Sequence, residues 1–105
     1  GGRVVTMLVE HTLTVTAKCP INGSHDVYNV TFRLNRLVNV EELLKVAEGY
    51  TRQSVYQEDL TQQLSNLFQC EVESHGSHSN VMTRVVCQHV TSCERDSEAS
   101  DKVIE

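Results

Sequence analysis

Tryptophan is absent from this 105-residue chain, aromatic residues make up only 5% of it, and it has a single proline. So few large rings give a small core, so modest stability of the isolated chain is expected, with a homo-oligomer completing the fold. No apolar run approaches the length needed to cross a bilayer, and no basic start leads into an apolar stretch. Neither a membrane span nor a secretory signal is therefore expected, and the chain reads as cytoplasmic. Positive charge is also scarce: nine Lys and Arg against 14 Asp and Glu give a net charge of −5, with no basic stripe. That balance argues against a general nucleic-acid binder and leaves a small ligand or a protein as the expected partner.

What remains is one small domain, expected over residues 7–91, because 39% hydrophobic content supports a single core and little more. Residues 92–105 are polar and aperiodic and read as a tail. The four cysteines, Cys19, Cys70, Cys87 and Cys93, are even in number, and Asn22-Gly23-Ser24 and Asn29-Val30-Thr31 fit the glycosylation pattern. A secreted disulfide domain is thus one reading, but the cysteines lack a regular framework and short sequons arise often by chance.

Leu13, Val15, Ala17 and Cys19 alternate, and so do Tyr28, Val30, Phe32 and Leu34, with Asn22-Gly23 between the two runs. This predicts a β-hairpin over about residues 8–34. Asn39 followed by Glu41 and Glu42 is a capping-box start for a helix ending near Gly49, with Val40, Leu43, Leu44 and Ala47 as its buried stripe. Ser54 to Gln57 is a second start, leading into Leu60, Leu64, Leu67 and Phe68. Strands are expected over residues 69–74 and 81–90, flanking a turn-forming loop from His75 to Asn80. The order is ββ-αα-ββ: an α+β domain with a four-stranded antiparallel sheet and two helices on one face.

The chemistry concentrates in Cys19-Pro20-Ile21-Asn22-Gly23-Ser24-His25-Asp26, which sets a thiol and a carboxylate at opposite ends of one tight loop. Each has a plainer reading alone. A cysteine at a strand end is often a small core residue, an aspartate beside a turn often bonds backbone N–H groups, and Glu58 in the first turn of a helix complements its dipole. Together Cys19 and Asp26 supply a nucleophile and a proton-handling group. His75 and His78 could hold zinc with His25 or a cysteine as third ligand, or lie in an exposed or substrate-contacting loop. Cys70 and Cys87 read as core-facing strand residues and Cys93 as a tail thiol.

The element order and the loop resemble the tunnelling fold (T-fold), and within it the QueF nitrile reductases of queuosine biosynthesis, whose loop reads Cys-Pro-x-Thr-Gly-Gln-Pro-Asp. Cys19, Pro20, Gly23 and Asp26 keep that spacing, while Asn22, Ser24 and His25 depart from it. Tyr56-Gln57-Glu58 is similar to the family's Phe-His-Glu, with the aromatic residue and the glutamate retained and the histidine not. The resemblance spans about 80 residues. It implies a barrel assembled from several copies, with pockets at subunit interfaces. It further implies that Cys19 adds to the nitrile of 7-cyano-7-deazaguanine as a thioimide, that Asp26 transfers protons, and that Glu58 anchors the purine-like edge; Tyr56, Gln57, His25 and His78 are further candidate substrate contacts.

The reductases carry a Glu-Ser-Lys-Ser-like segment for their nicotinamide cofactor, whereas this chain has Glu41-Glu42-Leu43-Leu44-Lys45 within a predicted helix. The resemblance is therefore to the shorter QueF-like branch, which converts the nitrile to an amidine with ammonia on tRNA. Ammonia addition is favoured over hydride, and NADPH would enter only in a reductase. No cofactor or metal is expected. The substrate is a free purine-like base or the modified base in tRNA, although the acidic surface does not favour tRNA. The other reading is a T-fold protein that binds a purine or pterin without catalysis, or with zinc as in the pterin synthases, whose His-Gly-His does not match His75-Gly76-Ser77-His78 in order or spacing.

Overall fold

Residues 5–89 are described by a computed structural model. Two strands, β1 (Val9–Lys18) and β2 (His25–Leu34), are followed by helix α1 (Val40–Gly49), a 3₁₀ turn (Tyr50–Arg52) and helix α2 (Gln57–Phe68). Strands β3 (Glu71–His78) and β4 (Val81–Cys87) complete the fold. The sheet is antiparallel in the order β1-β2-β3-β4, so β1 and β4 are its edges. The tail expected over residues 92–105, with Cys93, lies outside the described residues.

Alternation sets the two faces of the sheet. Val15, Ala17, Tyr28, Val30, Phe32 and Val72 point toward the helices and are buried. They meet Leu43 and Ala47 of α1 and Leu60, Leu64 and Phe68 of α2. Phe68 closes edge-to-face on Phe32, with ring centroids 5.3 Å apart.

Helix α1 starts where its cap predicts, with the Asn39 side chain accepting from Glu41 N–H. It does not stop at a left-handed glycine, because Gly49 is right-handed and the chain tightens into the 3₁₀ turn. Only Leu43 and Ala47 of the expected stripe are buried, while Val40 and Leu44 are about half exposed. Successive helix positions rotate by about 100°, so these two face solvent on a helix that touches the sheet along a narrow line. Leu67 is exposed for the same reason.

Two further expectations are corrected. Ser54 does not cap α2; its backbone bridges Lys18 in parallel, and Tyr56 becomes the N-cap without a side-chain hydrogen bond. The segment from His75 to Asn80 is not a loop, since β3 runs through His78 and only Ser79 and Asn80 turn, with φ of 50° and 70°. Two consecutive positive φ values make the tight primed turn whose twist matches the flanking strands.

The outer face of the sheet carries a charge cluster. Glu73 Oε1 accepts from Arg33 at 2.8 Å and Glu73 Oε2 from Arg84 at 2.7 Å, and His75 also contacts Oε2. Arg33 reaches Glu10 and Glu71 as well. Bonds from Arg84 first, then His75 and Arg33, hold the Glu73 carboxyl down at about 2. A carboxyl depressed in the folded state contributes stability that is complete above its unfolded value and lost as pH falls toward the folded one. Urea unfolding of the wild type should therefore show stability declining from about pH 4.5 toward pH 2, and Glu73→Gln should flatten that part of the profile.

Candidate active site

Cys19 and Asp26 reach the same side of the sheet by strand parity. Ala17 pairs with Asp26 and Val15 with Tyr28, so Asp26 points inward with Tyr28, and Cys19 continues the inward series from Ala17. The loop between them is held by its own bonds. Cys19 N–H donates to Ser24 O at 2.7 Å, Gly23 N–H donates to Cys19 O at 2.8 Å, and the Ser24 hydroxyl and N–H both donate to Asn22 Oδ1. Gly23 turns with φ of 75°, a conformation that side chains resist.

The start of α2 is brought to this loop by the backbone. Lys18 N–H donates to Gln53 O at 2.8 Å and Val55 N–H donates to Lys18 O at 3.1 Å. The chain thus runs beside the end of β1 immediately before Tyr56, Gln57 and Glu58 begin the helix. A cavity of about 340 Å³ results, lined among others by Cys19, Asp26, Tyr28, Tyr56, Glu58 and His78. Among the residues expected from sequence, Cys19, Asp26, Tyr56, Gln57, Glu58 and His78 line this one cavity. His25 does not: it is exposed and, one residue from Asp26, falls on the opposite face. His75 and His78 also lie on opposite faces of β3, so they cannot chelate one ion together. Among the described residues no three His, Cys, Asp or Glu side chains converge as a metal site.

Gln57 is almost fully buried and fully engaged. Its amide nitrogen faces three acceptors, Ser74 O, Ser74 Oγ and Thr83 O, at 3.1–3.3 Å. Its oxygen therefore faces His78, 2.9 Å away, and His78 Nε2 must carry the donating hydrogen. The hydroxyls continue the circuit: Thr61 Oγ1 donates to Gln57 O at 2.7 Å, leaving Ser74 Oγ to donate to Thr61 Oγ1 at 2.6 Å. Gln57 thus positions His78 and the helix start, and its own polar atoms are spent on the protein.

Tyr28 was legible in the sequence only as an inward strand residue. It is 1% exposed, its ring lies tilted to that of His78 at 6.0 Å, and its hydroxyl donates to Asp26 Oδ2 at 3.3 Å. A Cβ on Gly76 would come within 2.4 Å of the Tyr28 ring, so the ring occupies the space a side chain would need. Burial, followed by the adjacent Asp26 carboxylate, pushes the Tyr28 hydroxyl far above the usual phenol range. It remains a neutral donor. Cys19, Cys70 and Cys87 are free thiols, and burial pushes the last two up, away from the thiolate form.

Replacing Thr61 by Val preserves shape while leaving the buried Ser74 hydroxyl without its acceptor, since Gln57 O keeps its helical N–H partner. The expected loss is about 1–3 kcal/mol of unfolding free energy, measured by urea denaturation.

No family model matches the sequence, and no curated protein matches it. Among solved structures the chain is similar to the archaeosine synthase QueF-Like in its apo form, with a TM-score of 0.69 and 20% identity over 77% of this chain and 91% of that one. The likeness agrees with the observed ββ-αα-ββ order, the four-stranded antiparallel sheet and the two helices on one face: the chain has the T-fold.

Proposed function

We propose that this chain is a QueF-like enzyme of 7-deazaguanine metabolism that captures the nitrile of 7-cyano-7-deazaguanine on Cys19. The observation that carries the reading is the meeting of Cys19, Asp26 and Glu58, from a strand end, the next strand and a helix start, around one cavity. Fold likeness to an archaeosine synthase supports the same class of chemistry.

In the first step the Cys19 sulfur bonds to the nitrile carbon, one π bond of the nitrile breaks, and the thiol proton passes through the Asp26 carboxylate to the nitrogen, giving a neutral thioimide. Ammonia then adds to the same carbon, the C–S bond breaks, and the thiolate regains a proton as the amidine leaves. Glu58, at the start of α2, accepts N–H donors from the guanine-like edge, and Tyr56, about half exposed, flanks the heterocycle. The absence of a Glu-Ser-Lys-Ser-like segment favours ammonia over hydride as the second reactant, and no resident cofactor is required. Among the described residues β1 and β4 are the edge strands of the sheet, and a second copy of the chain added at an edge would wall the cavity, as a T-fold barrel does. The substrate is the free base, or the same base in tRNA held by its nucleobase rather than by a basic surface.

Intact-protein mass spectrometry with 7-cyano-7-deazaguanine, without ammonia or reductant, tests the reading. Wild type should gain the mass of the ligand, Cys19→Ala should gain nothing, and added ammonia should discharge the adduct. A wild type left unmodified by intact ligand, or an adduct that persists in Cys19→Ala, overturns it.

A further inference from the structure

We infer that Tyr28 is a positioning residue of this site, its hydroxyl holding one oxygen of the Asp26 carboxylate so that the other is presented to the reacting atoms. The inference rests on the nitrile-capture reading for its chemistry and on geometry for its contact.

A carboxylate on a strand can rotate, and an unrestrained one would spend little time aligned for proton transfer. Asp26 has one side-chain hydrogen bond among the described residues, the 3.3 Å contact from Tyr28 to Oδ2. That leaves Oδ1 for the thiol proton and the forming imide nitrogen. The donor itself has little freedom. Its ring is buried in β2, lies in the space left by the missing side chain of Gly76, and borders the His78 ring, which Gln57 fixes in turn. The bond is longer than usual for O–H···O, as is common in a site without substrate. A tyrosine needed only for packing would gain nothing from directing its hydroxyl at a carboxylate in the cavity, since phenylalanine fills the same core volume without a polar group to satisfy.

Tyr28→Phe keeps the ring and removes only the donor. Two measurements separate the inference from the reading beneath it. Without any ligand, the side-chain carboxyl carbon resonance of Asp26, recorded by NMR at one fixed neutral pH, should move in Tyr28→Phe relative to wild type. In adduct formation with 7-cyano-7-deazaguanine, Tyr28→Phe should lower the maximal rate about tenfold and leave the half-saturating concentration within about twofold. In an Asp26→Asn background it should slow the reaction no further. An unmoved Asp26 resonance overturns the inference, and so does equal slowing in both backgrounds, which is what a packing role produces. If wild type forms no adduct, the nitrile reading fails separately, and the resonance alone decides whether Tyr28 holds Asp26.

Discussion

A closed circuit of hydrogen bonds fixes the first turn of α2, running from the Gln57 amide to Ser74 Oγ, on to Thr61 Oγ1 and back to the Gln57 carbonyl. Each of its two hydroxyls donates once inside a buried seam, so loss of either acceptor leaves a hydroxyl hydrogen unpaired away from water. From this circuit the third acceptor of Gln57, Thr83 O, ties in β4, and its oxygen ties in His78. The other boundary of the cavity is set by Lys18, whose N–H and C=O are both engaged by the segment leading into the helix. Glu58 and Tyr56 sit between these two anchors. The site exists because a strand end and a helix start are each tied by bonds that do not depend on a ligand.

The same strand that closes the circuit also holds the charge cluster on the far side of the sheet. Ser74 faces inward to Gln57 and Thr61, while its neighbour Glu73 faces outward to Arg33, Arg84 and His75. Period-two alternation therefore keeps two polar networks of different kinds one residue apart without their interfering. The inner one is neutral and suited to a dry interior; the outer one is ionic, with the Glu73 carboxylate buried among the two arginines that pair with it.

Much of the fold was legible because it is local. The alternation of Leu13 to Cys19 and of Tyr28 to Leu34 specifies a hairpin by itself, and Asn39 specifies a helix start by the bonds of its own side chain. What escaped is nonlocal. Ser54 has the composition of a cap, but its backbone is claimed by Lys18, which no window around residue 54 contains. His75-Gly76-Ser77-His78 has the composition of a loop, and becomes a strand because its backbone pairs with Val81 to Arg84 and two of its residues meet distant side chains, the Tyr28 ring over Gly76 and Gln57 for His78. In the site, the loop from Cys19 to Asp26 could be read from sequence, because Cys19 continues the apolar alternation of Leu13, Val15 and Ala17 and Asp26 that of Tyr28, Val30 and Phe32 across the turn. The hydroxyl of Tyr28 could not, since nothing in an alternating run distinguishes a buried ring with a directed hydroxyl from one without.

The seat of Tyr28 on Gly76 binds the histories of two positions together. Any side chain at 76 must displace the ring at 28, and any smaller residue at 28 opens a void above 76. Relatives that carry a side chain at the position of Gly76 would then have a small residue at that of Tyr28, and would have to orient their aspartate by some other donor. In an alignment of such chains these two columns, far apart in sequence, would change as one.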